Sequence, residues 1–255
     1  MKNNRFYKFA LFGKSGITLL IILATQNALA ANTGIPVIDD LIGQGSNSAK
    51  VMQLFLLITV LGIAPSILIM TTSFVRIAIV LGMVRTALGL QQSPPNQVVM
   101  SLALFLTFFI MSPALEESYE NGIRPMIEEK ISEEEAIPHI VQPFKKFMLA
   151  NTRSKDLDLF ISIAKEDPKQ EVLNLPLKIV IPSFMISELR RAFEIGFLIF
   201  LPFLIIDIVV SSILMAMGMM MMPPVMVALP FKIIFFVVID GWYLLAGSLV
   251  RSFAV

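Results

Sequence analysis

Nine ionisable side chains lie within stretches that are otherwise apolar, and their chemistry is the most informative in the chain. A charged group at membrane depth costs at least a few kcal/mol unless it is paired or hydrated, so each of them should have a partner. Such groups form buried ion pairs, contacts between subunits or steps of a proton relay. The nine residues are Arg76, Arg85, Glu188, Arg190, Arg191, Glu194, Asp207, Lys232 and Asp240.

Four of these charges fall close together, at spacings that bring them near one another on a helix. Arg190 and Glu194 are four residues apart, and Glu188 and Arg191 are three apart. Each couple can therefore form a local ion pair on a helix surface. A solvated helix start at a membrane edge and a contact between subunits account for this pattern equally well.

The other five charges are too scattered to pair by local spacing. Arg76 and Arg85 are nine residues apart, which places them on opposite faces of a shared helix and engages two surfaces. Lys232 and Asp240 would be about 12 Å apart along a helix axis, too far for a direct pair. We expect Lys232 to snorkel to the membrane interface. For Asp207 and Asp240 we expect burial with a structural pair or hydrogen bond, and a proton relay is the alternative.

Seven of the sixteen methionines are concentrated within twelve residues of one another. They are Met215, Met217, Met219, Met220, Met221, Met222 and Met226, and the run includes Pro223 and Pro224. Thioether side chains are flexible and polarizable, so they fill irregular space without one fixed packing. Three interpretations follow: lipid-facing filler, copper(I) ligation without help from cysteine or histidine, and a deformable gasket in a pore. Residue chemistry alone favours filler.

The composition excludes several functional classes. The chain has no cysteine and one histidine, His139, which removes disulfides, thiolate catalysis and most zinc or iron-sulfur sites. The acidic residues Glu128, Glu129 and 133–135 lie in a helix-forming, solvated stretch and predict a charged face rather than a general acid and base. We therefore expect no enzyme activity, no cofactor and no bound metal. The formal charge of +1 gives no indication of nucleic-acid binding.

The same composition places the chain in a membrane and suggests export of its N-terminus. Hydrophobic residues make up 56% and charged residues 15% of the 255 positions. Residues 1–30 have the basic start, short apolar centre and Ala28-Leu29-Ala30 cleavage site of a signal peptide, although an uncleaved anchor is the alternative. Residues 31–50 would then form a short periplasmic segment.

Three further segments must position the charged residues and the methionines. Residues 51–115 predict a first hydrophobic helical hairpin, interrupted near Pro94 and Pro95. Residues 116–183 predict an acidic segment of short amphipathic helices, with a capping box formed by Ser132 and Glu135. Residues 184–255 predict a second hairpin around the methionine-rich turn. Hydropathy gives four spans, and a cleaved signal peptide would then place the acidic segment in the periplasm.

The chain closely resembles the FliP family of flagellar biosynthesis proteins and its counterparts in virulence type III secretion. The first hairpin carries FVRI at 74–77, LGLQQ at 88–92, PPNQ at 94–97 and LFLTFFIMSP at 104–113. The second carries IPSF at 181–184, SELRRAF at 187–193, GF at 196–197, Asp207, LPFK at 229–232 and DGW at 240–242. The resemblance covers most of residues 51–252 and is weakest through the acidic segment. The predicted signal peptide favours the flagellar branch.

This resemblance implies a function, a set of partners and a fold. It implies an all-α, membrane-associated chain whose two kinked hairpins and periplasmic insertion pack into a helical, oligomeric export gate. Five copies would assemble with FliR and FliQ, alongside further export-apparatus membrane proteins, in the inner membrane at the flagellar basal body. Much of the chain would lie on the periplasmic side, so that four simple spans need not hold.

The implied role is passage of unfolded flagellar subunits, with Met219 to Met222 as a methionine gasket that closes the pore. On this interpretation Arg190, Arg191 and Glu194 would hold subunits together. The rival hypothesis is a small-solute or ion-coupled membrane carrier, in which Asp207, Asp240 and Lys232 would form the substrate or proton site.

Overall fold

The structure is a computed structural model that describes residues 47–90, 93–167, 171–219 and 222–253. Every regular element within these ranges is a helix, which confirms the predicted helical class. The predicted signal peptide, residues 1–30, and most of the predicted 31–50 segment lie outside the described residues. The chain divides into two compact units, residues 1–64 and 65–255. The first is described only over the helical stretch 47–64, and the packing described below belongs to the second.

Nine α-helices, a π-helical segment and a short 3-10 turn lie within the described ranges. The α-helices are α1 (Asn47–Met70), α2 (Phe74–Ala87), α3 (Asn96–Ser118), α4 (Arg124–Ile127), α5 (Glu133–Asn151), α6 (Ser154–Ala164), α7 (Leu177–Ala216), α8 (Pro224–Val238) and α9 (Gly241–Arg251). The π-helix Tyr119–Ile123 joins α3 to α4, and the 3-10 turn Val172–Asn174 precedes α7.

Three stretches are long and apolar enough to cross a membrane. They are Val51–Met70 in α1, Asn96–Ile127 from α3 to α4, and all of Leu177–Ala216 in α7. Helices α8 and α9 meet at a bend of 63° and qualify only as a pair. The charge-free run from Val51 to Val75 does not form one helix, because α1 ends at Met70. There the hydroxyls of Thr71 and Thr72 donate to the carbonyls of Ile67 (3.0 Å) and Ile69 (3.3 Å).

The predicted helix-start signal of the acidic segment is present at the beginning of α5. The Glu135 backbone N–H donates to Ser132 Oγ at 3.3 Å, and the Ser132 backbone N–H donates to Glu135 Oε2 at 3.2 Å, which confirms the capping box. Helices α5 and α6 follow, and their apolar faces bury Met148, Leu157 and Ile161. These residues pack against the start of α7.

Helix α2 is the centre of the core in the second unit. It packs against α3, α7 and α9, and its buried side chains include Ile77, Val80 and Leu81. Gly196 of α7 lies close to α2, because a Cβ at that position would lie 2.3 Å from the sulfur of Met83. Further along the same two helices, Val84 and Phe203 pack with Phe236 of α8. The core therefore fixes α2 against the whole middle of α7.

Candidate functional site

A fully buried ion pair joins α2 to α7. Arg76 Nε donates to Glu188 Oε2 at 2.8 Å, and Arg76 Nη2 donates to Glu188 Oε1, so the contact is bidentate. Both side chains are 0% exposed. Glu188 therefore binds Arg76, 112 positions away, and not Arg191 on its own helix. A buried charge needs a partner of fitted geometry, and the planar guanidinium supplies it.

The remaining donors of Arg76 bind the C-terminal end of the described chain. Arg76 Nη1 donates to the Ser252 carbonyl at 2.9 Å and to Ser252 Oγ at 3.0 Å. The guanidinium carbon also lies 3.7 Å from the centroid of the Phe253 ring. Phe253 in turn stacks on Phe147 of α5. One arginine therefore links α2, α5, α7 and the residues after α9.

A second polar cluster attaches the acidic segment to α7, one residue before Glu188. Ser187 Oγ donates to Asp156 Oδ2 at 2.6 Å, and Arg153 donates to both Asp156 oxygens at 2.8 Å. Burial, the largest single influence, raises the pKa of Asp156. The hydrogen bonds from Ser187 and Arg153, with the Arg153 charge, outweigh it and hold that pKa below its usual value.

Four of the other predicted charges lie nearer the surface. Arg190 Nε donates to Glu194 Oε1 at 2.7 Å, the spacing that the sequence permits, and both side chains are 55% exposed. Arg191 is half-buried and makes no hydrogen bond or ion pair within the described residues. Arg85 binds the Asn96 side chain at the start of α3, so Arg76 and Arg85 do engage two different surfaces.

Lys232 does not snorkel, and that expectation was wrong. Its side chain is 4% exposed, and Nζ donates to Asp207 Oδ2 at 2.7 Å and to the Ala87 carbonyl at 3.0 Å. The carbonyl belongs to the last residue of α2, where a cation meets the negative end of the helix dipole. The three helices enclose the ammonium group, so it has no need to reach water.

Asp240 is also placed differently from its prediction. It is exposed, and its side chain forms no hydrogen bond or ion pair with any described residue. It precedes α9 with a φ of 52°, a left-handed conformation that aspartate tolerates better than most residues. Asp207 and Lys232 therefore come together without Asp240.

The methionine-rich segment runs from the end of α7 to the start of α8 and includes the residues that connect them. Gly218, with a φ of 72°, ends α7: its N–H donates to the Met215 carbonyl and the Met219 N–H donates to the Leu214 carbonyl, both at 3.0 Å. This is a Schellman cap, which needs a residue in the left-handed region. Met219 and Met222 are 41% and 43% exposed. Met220 and Met221 lie outside the described residues.

No metal site is visible in the described part of the chain. Within those ranges, no group of three or more histidine, aspartate or glutamate side chains could hold an ion. Among the described residues, no such group is available to help the methionines bind copper(I).

Sequence reasoning missed the groups that complete these contacts. Ser252, Phe253 and the Ala87 carbonyl carry no signal of their own, because a hydroxyl, a ring and a backbone oxygen occur everywhere in a chain. Asp156 and Arg153 could have been found, since they are three residues apart at the start of a predicted amphipathic helix.

Comparison with known proteins identifies relatives over most of the chain. The FliP family model matches residues 57–249. A flagellar biosynthetic protein FliP from Caulobacter vibrioides is 52% identical over 238 residues, covering 93% of this chain and 90% of that protein. The FliP protein of Bacillus subtilis is 54% identical, and the match covers 81% of this chain and 94% of that protein. The FliP protein of Aquifex aeolicus is 46% identical, and the match covers 94% of this chain and 99% of that protein.

Proposed function

The chain belongs to the FliP family, and on that premise we propose that it is a core pore-forming subunit of the flagellar type III protein export gate. Several copies, five on the family resemblance, would assemble with FliR and FliQ in the bacterial inner membrane. Unfolded flagellar subunits would pass through the assembly, and the methionine turn, residues 219–222, would close it.

The observation that carries the proposal is the position of the methionine turn. It connects two apolar helices, and the described methionines Met219 and Met222 are exposed rather than packed into the chain's own core. A thioether that is not held by its own subunit is available to contact other copies of the turn. Several such turns together would form a soft constriction that excludes water and ions and still deforms around a polypeptide.

The length of α7 supports a gate that extends beyond the bilayer. Its 40 residues span about 60 Å, twice the roughly 30 Å of a hydrocarbon core. In its first half, Glu188 binds Arg76 of α2 and Ser187 binds Asp156 of α6. These charged groups are surrounded by protein and by polar partners rather than by lipid. We therefore place this half and the acidic segment on the periplasmic side.

The second half of α7 and helix α8 expose apolar side chains that a single chain leaves uncovered. Phe197, Ile205 and Ile234 are each 60% exposed. Either lipid or protein must cover such a surface, because its exposure to water is unfavourable in free energy. In the proposed gate, neighbouring copies and the FliR and FliQ subunits cover it on one side and lipid on the other.

The test of the gasket is ion leakage through the assembled gate. Replacing Met219 to Met222 together with alanine removes the flexible thioethers and should raise ion conductance of the membrane-embedded complex while its native mass stays unchanged. Unchanged conductance in a complex of unchanged mass would contradict the gasket. A variant with Met226 alone changed to alanine, in α8 beyond the turn, is the matched control.

Native mass distinguishes the gate from the carrier hypothesis. The gate predicts a large detergent-solubilised complex that forms only when FliR and FliQ are expressed with the chain. A carrier would be complete as a monomer or small homo-oligomer, indifferent to those partners. The carrier hypothesis required Asp207, Asp240 and Lys232 to form one site, but Asp240 lies apart from the Asp207–Lys232 contact.

A further inference from the structure

We propose that the Asp207–Lys232 pair sets the register of α7 against α8 and thereby positions the methionine turn. The inference rests on the proposed gate for its functional consequence, but the register itself is a property of this chain alone. Asp207 and Lys232 are positioning residues in this account, since neither lies in the turn. Their contact is the only side-chain polar contact between α7 and α8 among the described residues.

The pair has no substitute partner. One Asp207 oxygen, Oδ2, accepts from Lys232, and the other, Oδ1, is buried with no hydrogen bond to any described residue. Lys232 Nζ divides its donors between Asp207 and the Ala87 carbonyl. If α7 moved along α8, the buried ammonium group of Lys232 and the partly buried carboxylate of Asp207, which is 28% exposed, would both lose these contacts. The loss is costly chiefly for the buried ammonium group.

The other contacts that hold α7 to α8 do not specify a register so strictly. Phe203 meets the rings of Phe235 and Phe236 at centroid distances of 6.0 and 6.3 Å. Apolar burial is non-directional and aromatic pairs have only a modest geometric preference, so these contacts specify the register less strictly than a hydrogen bond does. A hydrogen-bonded charge pair is directional, and fixing register is the best attested use of buried polar pairs.

The Ala87 carbonyl connects this pair to the rigid part of the molecule. Ala87 is the last residue of α2, and α2 is bound to the first half of α7 through Arg76 and Glu188. Lys232 therefore holds α8 to a helix that is already fixed. Gly218, which directly precedes the methionine turn, lies 11 residues after Asp207, or about 16 Å along the helix axis.

The experiment compares four variants in the full chain, expressed with FliR and FliQ. Asp207→Asn and Lys232→Met each break the pair and leave one group without its partner. The double variant Asp207→Leu with Lys232→Met removes both charges and keeps apolar bulk. Ser212→Ala is the matched control, because its hydroxyl donates only to the Ile208 carbonyl of its own helix. The measurements are native mass, ion conductance, and deuterium uptake of peptides from residues 207–219 and 224–233.

The double variant is the decisive one. If the pair sets the register, this variant assembles to normal mass, yet both peptides exchange about tenfold faster and conductance rises. Unchanged exchange in the double variant would overturn the inference, because it would mean that the pair only neutralises buried charge. The single variants should show the same faster exchange together with a lower yield of complex, and Ser212→Ala should match the unaltered protein.

The two proposals can fail separately. Deuterium uptake tests the register without reference to a pore, whereas the alanine variant of Met219 to Met222 tests the gasket without altering the pair. Faster exchange with no rise in conductance would retain the register and overturn the inference that the register positions the methionine turn. Normal exchange beside a leaking methionine variant would retain the gasket and remove the positioning role of Asp207 and Lys232.

Discussion

The two halves of α7 differ in how they are held. The first half buries Ser183, Phe184, Ser187 and Glu188, and polar contacts reach it from α2 and α6. The second half buries little apart from Phe203 and Leu214, and Asp207 makes its one ion pair within the described residues. A single continuous helix thus passes from a firmly enclosed anchor to a sparsely held arm that ends at the methionine turn.

This difference indicates that the two halves of α7 have different roles. Directional contacts in a water-excluding core fix the first half, because each displaced charge would be left unpaired. The second half can adapt to neighbours, since its exposed apolar side chains take their surroundings from other chains or lipid. Placing the deformable segment at the end of a rigid helix gives it a fixed position and a free surface.

The largest effect should come from breaking the anchor. Arg76→Met leaves the Glu188 carboxylate buried with no partner and should destabilise the protein by about 3–5 kcal/mol. The expected outcome is a marked loss of folded protein, measured as thermal unfolding in detergent. The double variant Arg76→Met with Glu188→Leu should recover most of that loss. A single variant as stable as the unaltered protein would show that the anchor is not energetically dominant.

A smaller effect should follow from crowding the contact between α2 and α7. Gly196→Ala puts a Cβ against the sulfur and terminal methyl of Met83, the flexible end of that side chain, so the clash should cost no more than about 1 kcal/mol. Adding Met83→Ala should relieve the clash and restore stability. Gly82→Ala in α2, where a Cβ would meet nothing within 4 Å, is the matched control and should be neutral or slightly stabilising. Equal losses for both glycines would argue against close packing at Gly196.

Acid should loosen the attachment of the acidic segment to α7. Since the pKa of Asp156 is lowered on folding, the carboxylate stabilises the protein at pH values above its unfolded pKa, about 3.9. That contribution is lost as the pH falls through the lower, folded pKa. Asp156→Asn should therefore flatten the fall of thermal stability below about pH 4. An unchanged acid profile would exclude a role for this carboxyl.

The smallest effect on stability should come from the exposed pair on the same helix. Reversing the charge with Glu194→Lys should leave the thermal unfolding of the isolated chain unchanged, because both Arg190 and Glu194 are open to solvent. If the pair contacts a neighbouring subunit, the variant should still insert but fail to reach the native mass of the complex. Normal assembly would leave the pair a solvated feature of the helix surface.

The sequence determined the class of the protein and the beginnings of several elements. Apolar runs of sufficient length predicted membrane-capable helices, and Ser132 with Glu135 predicted the start of α5, because those signals are local. Gly218 and the prolines after it likewise indicate the end of α7. The motifs that resemble the FliP family were also readable without a structure, since they are contiguous in the chain.

Which charges meet depends on how the helices pack. Arg76 and Glu188 are 112 positions apart, and Lys232 reaches a carbonyl 145 positions away. Helical spacing pairs residues three or four apart, so it suggested Arg191 for Glu188. The snorkelling of long cationic side chains suggested the membrane interface for Lys232. A buried charge takes whichever partner the packed helices bring within hydrogen-bond distance, and that depends on how α2, α7 and α8 pack rather than on their order in the chain.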